Sequence, residues 1–284
     1  MNASKSIIYL LIFLTSLAWL PAIADVKLGV FPRRPPAVTV KAFKPLVAHL
    51  EKVLGEKVQL IVPKNFKAFW KGVANKEFDI VHYNQYHYIK SHKDFGYNVM
   101  VTNEEFGSPK IAGALSVRKD SGINSVADLK GKTILFGGGK KAMGSYIAPT
   151  AILKKAGLEA GKDYKVSFAK NPPSAVIGVY NHAADASGSG NVILKTKGVK
   201  KKIDVDKMKI LAESDEFTHL AWAVNADFPA DKMTKIQKAM TSLKGTAEGD
   251  AILKSARVTN FHTAVDADFS KVREITKFAI GEEY

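Results

Sequence analysis

The sequence predicts an α/β protein of two lobes, each a mostly parallel sheet with helices on both faces, a three-layer arrangement. Three observations carry this. Short apolar strands alternate with amphipathic helices, the pattern of βαβ units. The rhythm occurs twice, once from Val26 and again from Lys132. After each run comes a segment that resembles the other, EEFGSPKIAGALSVRKDS (Glu104–Ser121) after the first and DEFTHLAWAVNADF (Asp215–Phe228) after the second. Both place acidic residues before Phe and end in Val-x-x-Asp, and both read as extended crossings between lobes.

The elements follow in order. DVKLGVFP is a short strand broken by Pro32, and Phe43, Leu46, Val47, Leu50 and Leu54 then recur at helical spacing. KVQLIVP is a strand, FKAFWKGVANKEF a helix and DIVHY a third strand. The second run is KTILF, a helix over Ile147–Ala156, the strand KVSFA and a helix around Ser174–Asn181. Three closing helices, KMTKIQKAMTSLK, DAILKSA and SKVREITKFAI, are expected to cover the first lobe. The expected division is lobe 1 from residues 25–115 and 226–284, and lobe 2 from residues 116–225.

Residues 1–24 read as a signal peptide. Lys5 precedes an apolar run from Ile7 to Leu20, and Ala22-Ile23-Ala24 has the small-x-small form of a cleavage site. The run is shorter than the ~20 residues a bilayer span needs, so a soluble, exported chain beginning at Asp25 is expected, with the periplasm as its compartment. The chain has no cysteine, which excludes thiol catalysis, Cys-ligated metals and disulfides. With 46% hydrophobic residues, an ordinary core is expected to hold it together.

The formal net charge is +15, which suits small anions as well as nucleic acid or an anionic membrane. Lys195, Lys197, Lys200, Lys201 and Lys202 form the densest basic run, with no aromatic side chains interleaved for stacking on bases. That run reads as a solvated face, and nucleic acid is not an expected partner.

Four loops are expected to line the cleft between lobes: FPRRPP, HYNQYHY, GGGKKAMGSY and AADASGSGNV. The third has glycines and lysines ahead of a helix, but it is not a nucleotide phosphate loop. That motif needs Lys and then Ser or Thr directly after its last glycine, and here Gly144 is followed by Ser145 and Tyr146. Asn84 and Ser145 are expected to open helices, whose free N–H groups favour an anion. His82, His87 and His92 are spaced by five, which does not align imidazoles on one helical face, so no metal is expected. Tyr83, Tyr86 and Tyr88 either offer hydroxyls and flat walls to a ligand or pack the lobe, and packing suits Tyr88.

Several stretches together carry a family resemblance: LGVFP, FDIVHYNQYHY, SVRKDSGINSVADLKGKTILFG, PTAILKKAGL and EGDAILKSARVTNF. They resemble the periplasmic solute-binding proteins of ABC importers for phosphonate, phosphite and phosphate. The resemblance implies a bilobal, type II, Venus-flytrap fold that closes on a small oxyanion and presents it to an inner-membrane permease, as a monomer and without a cofactor. Such proteins usually have a Ser-Thr-Ser-Gly run where the loop meets the helix. Here Lys141-Ala142-Met143-Gly144-Ser145 stands in that place, and Gly144 and Ser145 retain the chemistry. Arg33, Lys140 or Lys141 supplies compensating charge. The resemblance also implies a carboxylate from the second lobe, a position Asp185 is expected to fill.

The expected site therefore joins Tyr83, Asn84, Ser145, Tyr146 and Asp185, with Arg33 and Lys141 at its rim, and Glu105 and His219 as secondary candidates at the crossings. His182, Asp185 and Ser187 lie on one loop without a nucleophile elbow, so an enzyme is not expected. The alternative is the same fold reporting a non-phosphorus ligand to a membrane sensor kinase or chemoreceptor.

Overall fold

The computed structural model describes residues 25–284, and the signal-peptide reading falls outside them. Lobe 1 opens with β1 (Val26–Val30), α1 (Pro36–Leu54), β2 (Val58–Ile61), α2 (Phe66–Ala74), β3 (Ile80–Tyr83), α3 (Gln85–Phe95) and β4 (Asn98–Glu104). Helix α1 buries Thr39, Ala42, Phe43, Leu46 and Leu50, one stripe at three- and four-residue spacing. It stops at Gly55, whose φ of 69° is the left-handed cap that glycine adopts without a Cβ clash.

The chain then crosses through β5 (Lys110–Ile111) into β6 (Gly113–Arg118), β7 (Thr133–Gly137), α4 (Ala148–Lys155), β8 (Lys165–Ala169), α5 (Pro172–Tyr180), β9 (Ala186–Gly190), α6 (Lys197–Lys200) and β10 (Met208–Glu213). It returns through β11 (Phe217–Thr218) to β12 (Ala221–Val224), followed by α7 (Ala230–Thr241), α8 (Ala247–Ala256), β13 (Asn260–Thr263) and α9 (Ser270–Ile280).

The two main sheets have one plan. Lobe 1 has the order β13-β4-β12-β3-β1-β2, with β12 antiparallel between β3 and β4. Lobe 2 has the order β10-β6-β9-β7-β8, with β6 antiparallel between β9 and β10. Each sheet thus incorporates the strand that a crossing delivers from the other lobe. Midway, β5 and β11 pair antiparallel, Phe217 opposite Ile111 and Thr218 opposite Lys110. The two similar segments are therefore crossings, as expected.

Helices cover both faces of each sheet. In lobe 1, Phe43 of α1 packs on His82 and Trp222, whereas Tyr83 points the other way, towards Phe69 of α2. In lobe 2, Leu135 faces Gly178 of α5, whereas Phe136 and Gly188 face the turn that opens α4.

Three expectations need correction. The lobe boundaries differ, because β6 begins before residue 116 and β12, expected in lobe 2, lies inside the sheet of lobe 1. A crossing segment ends as a strand of the sheet it reaches, so the crossing and not the local composition marks the boundary. AADASGSGNV is not a loop, since Ala186–Gly190 forms β9, at the centre of the lobe 2 sheet. Its glycines admit close neighbours: a Cβ on Gly188 would lie 2.4 Å from the Phe136 ring and 2.7 Å from the Ser145 carbonyl. Lastly, α7 and α8 pack on α1 as expected, but α9 packs against α3 and also α4 of lobe 2. Lys154 Nζ donates to the Phe278 carbonyl at 2.8 Å across that contact.

Gly188→Val is expected to destabilise the protein by about 1–3 kcal/mol through overpacking, seen as a lower Tm of the purified chain. An unchanged Tm would show that β9 does not pack against Phe136 and the α4 turn.

Candidate functional site

Strands β1 and β3 end on the side of lobe 1 that meets lobe 2. At the end of β1 the Arg33 guanidinium donates to Glu105 Oε1 at 3.1 Å, and the same oxygen accepts from Asn103 Nδ2 at 3.2 Å. Asn103 Oδ1 in turn accepts from the buried Trp222 indole N–H at 2.8 Å. Burial alone would raise the Glu105 carboxyl, but Arg33 and its hydrogen bonds outweigh burial and hold it at about 2. Beside this pair, burial and the charges of Arg33 and Arg257 lower the Arg34 guanidinium to about 9. Among the described residues, no hydrogen bond or ion pair engages the Arg34 guanidinium. Three guanidinium groups therefore share the field of one close carboxylate, and positive charge is in excess.

At the end of β3, Asn84 caps α3 by accepting the His87 N–H at 2.8 Å. Its Nδ2 donates to the Lys141 carbonyl at 3.1 Å, a bond from lobe 1 to lobe 2. His87 is buried with Nδ1 unpartnered, and burial and then the charge of Lys141 lower it to about 3.

Lobe 2 meets this surface with the turn after β7. Gly138 has φ 113°, open to glycine alone at low cost, and Lys140 and Lys141 stand exposed. A π-turn over Met143–Ile147 then leads into α4. π-turns within helices recur at functional sites, and the N–H groups of Met143, Gly144 and Ser145 precede any acceptor their own helix can supply.

The sequence-predicted residues divide. Arg33, Asn84 and Lys141 stand where the lobes meet. His219 lies on the second crossing, buried, with Nδ1 accepting the Leu220 N–H at 2.8 Å, and burial lowers it to about 4. Ser145 does not open a helix as expected: it lies in the middle of the turn, and its hydroxyl donates to the Gly137 carbonyl at 2.6 Å and fixes the turn. Tyr83 is fully buried, its hydroxyl bound to Ser91 Oγ at 2.8 Å. Tyr146 is buried against Phe136 and Phe168.

Asp185 lies at the opposite end of the sheet. Its Oδ2 accepts the Thr133 N–H at 2.8 Å, and its own N–H donates to the Thr133 carbonyl. Thr133 begins β7, whereas the candidate turn follows Gly137 at its end. Asp185 therefore pins parallel strands at their starts, four residues' rise from the turn, about 13 Å away. Arg34 is a candidate that the sequence does not single out within FPRRPP, because adjacent arginines do not reveal which one finds a carboxylate. Phe66 and the burial of His87 are likewise visible only in the fold.

Residues 28–269 match the family described as the ABC transporter, phosphonate, periplasmic substrate-binding protein. The phosphate-import protein PhnD of Mycolicibacterium smegmatis is 23% identical over 259 residues, covering 82% of this chain and 79% of that protein. PhnD1 of Prochlorococcus marinus, solved in complex with methylphosphonate, superposes with a TM-score of 0.77 at 19% identity, covering 91% of this chain and 99% of that one. A Xanthomonas citri protein bound to ATP superposes with a TM-score of 0.77 at 14% identity, covering 90% and 96%. The structural likenesses establish the bilobal fold.

The buried histidines set a pH dependence. His87 and His219 have folded values of about 3 and about 4, below the ordinary 6.5. The unfolded chain therefore takes up protons first, and stability is lost as pH falls from about 6.5 towards those values. Glu105, lowered from 4.5 to about 2, acts in the same direction over the more acid range. Tm is expected to be flat above pH 7 and to fall below pH 6.5, with His87→Gln flattening the part of the fall that begins there. Equal slopes in parent and variant would show that His87 is protonated in the folded protein.

Proposed function

Because the chain belongs to the family of periplasmic substrate-binding proteins of phosphonate ABC transporters, we propose that it captures a small phosphorus oxyanion between its lobes. It is a binding component and not an enzyme, it works in the periplasm, and its partner is an ABC permease. The sensor reading is not favoured by the family match.

One observation carries the ligand class: Arg34 lies half-buried beside Arg33 and Arg257, and among the described residues the carboxylate close to them, Glu105, already serves Arg33. A phosphonate or phosphate would restore charge balance there and accept charge-assisted hydrogen bonds. Lobe 2 would add the positive charge of Lys141 and the N–H groups of the α4 turn. An anion touching both walls favours the closed lobes by its contacts to that state alone, the signal a permease can read. One chain supplies both walls, which supports a monomer as the working unit.

Isothermal titration with methylphosphonate and inorganic phosphate tests the reading. A hydrogen bond to a charged group contributes about 1.5–3 kcal/mol, so Arg34→Ala is expected to weaken binding roughly tenfold or more. Asp185→Asn, far from the turn, is expected to bind as the parent does. Absence of binding by either oxyanion, or parental affinity in Arg34→Ala, would overturn the assignment.

A further inference from the structure

The lobe 1 wall carries an aromatic face that a bare oxyanion does not require. Phe66 is 45% exposed although it belongs to a continuous pack of rings. Its ring stacks on His87 at 5.9 Å with an interplanar angle of 17°, and meets Phe31 edge-on at 6.3 Å. Behind it His87 packs on Trp70 at 5.4 Å and on Tyr86 at 5.6 Å. With its titration pushed far down, His87 is a neutral ring in this stack.

Phe66 is held in place from below. It is the first residue of α2, and Asn65 caps that helix by accepting the Ala68 N–H at 2.9 Å. The exposed ring is therefore a fixed surface with one face supported by His87. Phe31 connects it to the charge cluster, because the Arg33 guanidinium lies 5.4 Å from the Phe31 ring centroid. A single ring thus separates the exposed aromatic face from the guanidinium groups. Across the cleft, the place where the family usually offers hydroxyls is occupied by Ala142 and Met143, so fewer side-chain donors grip the anion from lobe 2.

We infer that Phe66, backed by His87 and Phe31, forms a subsite for a planar or aromatic group carried by the oxyanion ligand. The inference rests on the oxyanion reading above and narrows its class, from any small phosphonate to one bearing a flat substituent. The anionic head meets Arg33 and Arg34, and the substituent covers the Phe66 ring and removes its apolar surface from water. A methyl group is too small to cover that ring, and inorganic phosphate has nothing to place on it.

Titration of the purified full-length exported protein with phenylphosphonate, methylphosphonate and inorganic phosphate separates the possibilities. An offset-stacked ring pair should favour phenylphosphonate over methylphosphonate by about three- to tenfold. Phe66→Ala should abolish that preference, so that phenylphosphonate and methylphosphonate bind the variant with equal affinity, and Phe66→Leu should retain only part of it. Equal or tighter binding of methylphosphonate or phosphate by the parent, or a preference that survives Phe66→Ala, overturns the aromatic subsite and leaves the oxyanion reading standing. If none of the three anions binds, the oxyanion reading fails and the subsite with it.

Discussion

Two extended segments cross between the lobes and pair with each other, and the rest of the molecule is arranged around that pairing. The ladder itself is short, Phe217 opposite Ile111 and Thr218 opposite Lys110. Its consequences are larger, because each crossing continues into a full strand of the sheet it enters. The chain cannot leave a lobe without contributing a strand to the other, so neither sheet is complete without residues from the opposite crossing. The antiparallel pairing of each inserted strand also fixes which strand ends face the cleft. The candidate loops lie at those ends, where open α/β sheets place their ligands, beyond the carboxyl ends of strands.

The first crossing also organises the charge of the cleft. Glu105 follows β4 directly, and Asn103 ties its carboxylate through Trp222 to the middle of the lobe 1 core. A carboxylate held in this way orients Arg33 and is already hydrogen-bonded to it, so the adjacent Arg34 feels its charge but has no ion pair of its own among the described residues. The cost of keeping an arginine half-buried and unpaired is considerable, and an arriving anion offsets it. The neighbouring histidines do not add to the positive charge, since burial keeps His82, His87 and His219 neutral.

The lobes are not independent bodies joined only by the crossings. Helix α9 packs on α3 and α4 together, and Asn84 reaches the Lys141 carbonyl across the cleft. Opening the cleft must slide or release these contacts. The Asn84 bond is the smaller of the two and connects the cap of one loop to the turn of the other, so lobe closure and the shape of the candidate site are physically coupled.

By itself the sequence determined the features that short-range chemistry dictates. Strand and helix alternate with periods set by sterics, Asn84 caps a helix because its side chain reaches the third N–H, and the glycine–lysine loop lacks the residues of a nucleotide cradle. The two crossings were legible because their likeness is local, and the family resemblance reached the fold and the class of activity. Tertiary structure alone decided which polar side chains have reactive groups left to offer. Tyr83 and Tyr146 carry the right hydroxyls but turn into the core, and the Ser145 hydroxyl donates its hydrogen bond to the Gly137 carbonyl. Asp185 sits just before the start of β9, away from the cleft, because the Gly/Ser-rich stretch after it, which reads as a loop in sequence, is a central strand whose missing side chains leave room for Phe136. Arg34 is significant only because its neighbour Arg33 holds the carboxylate, a competition between partners distant in sequence that no local pattern records.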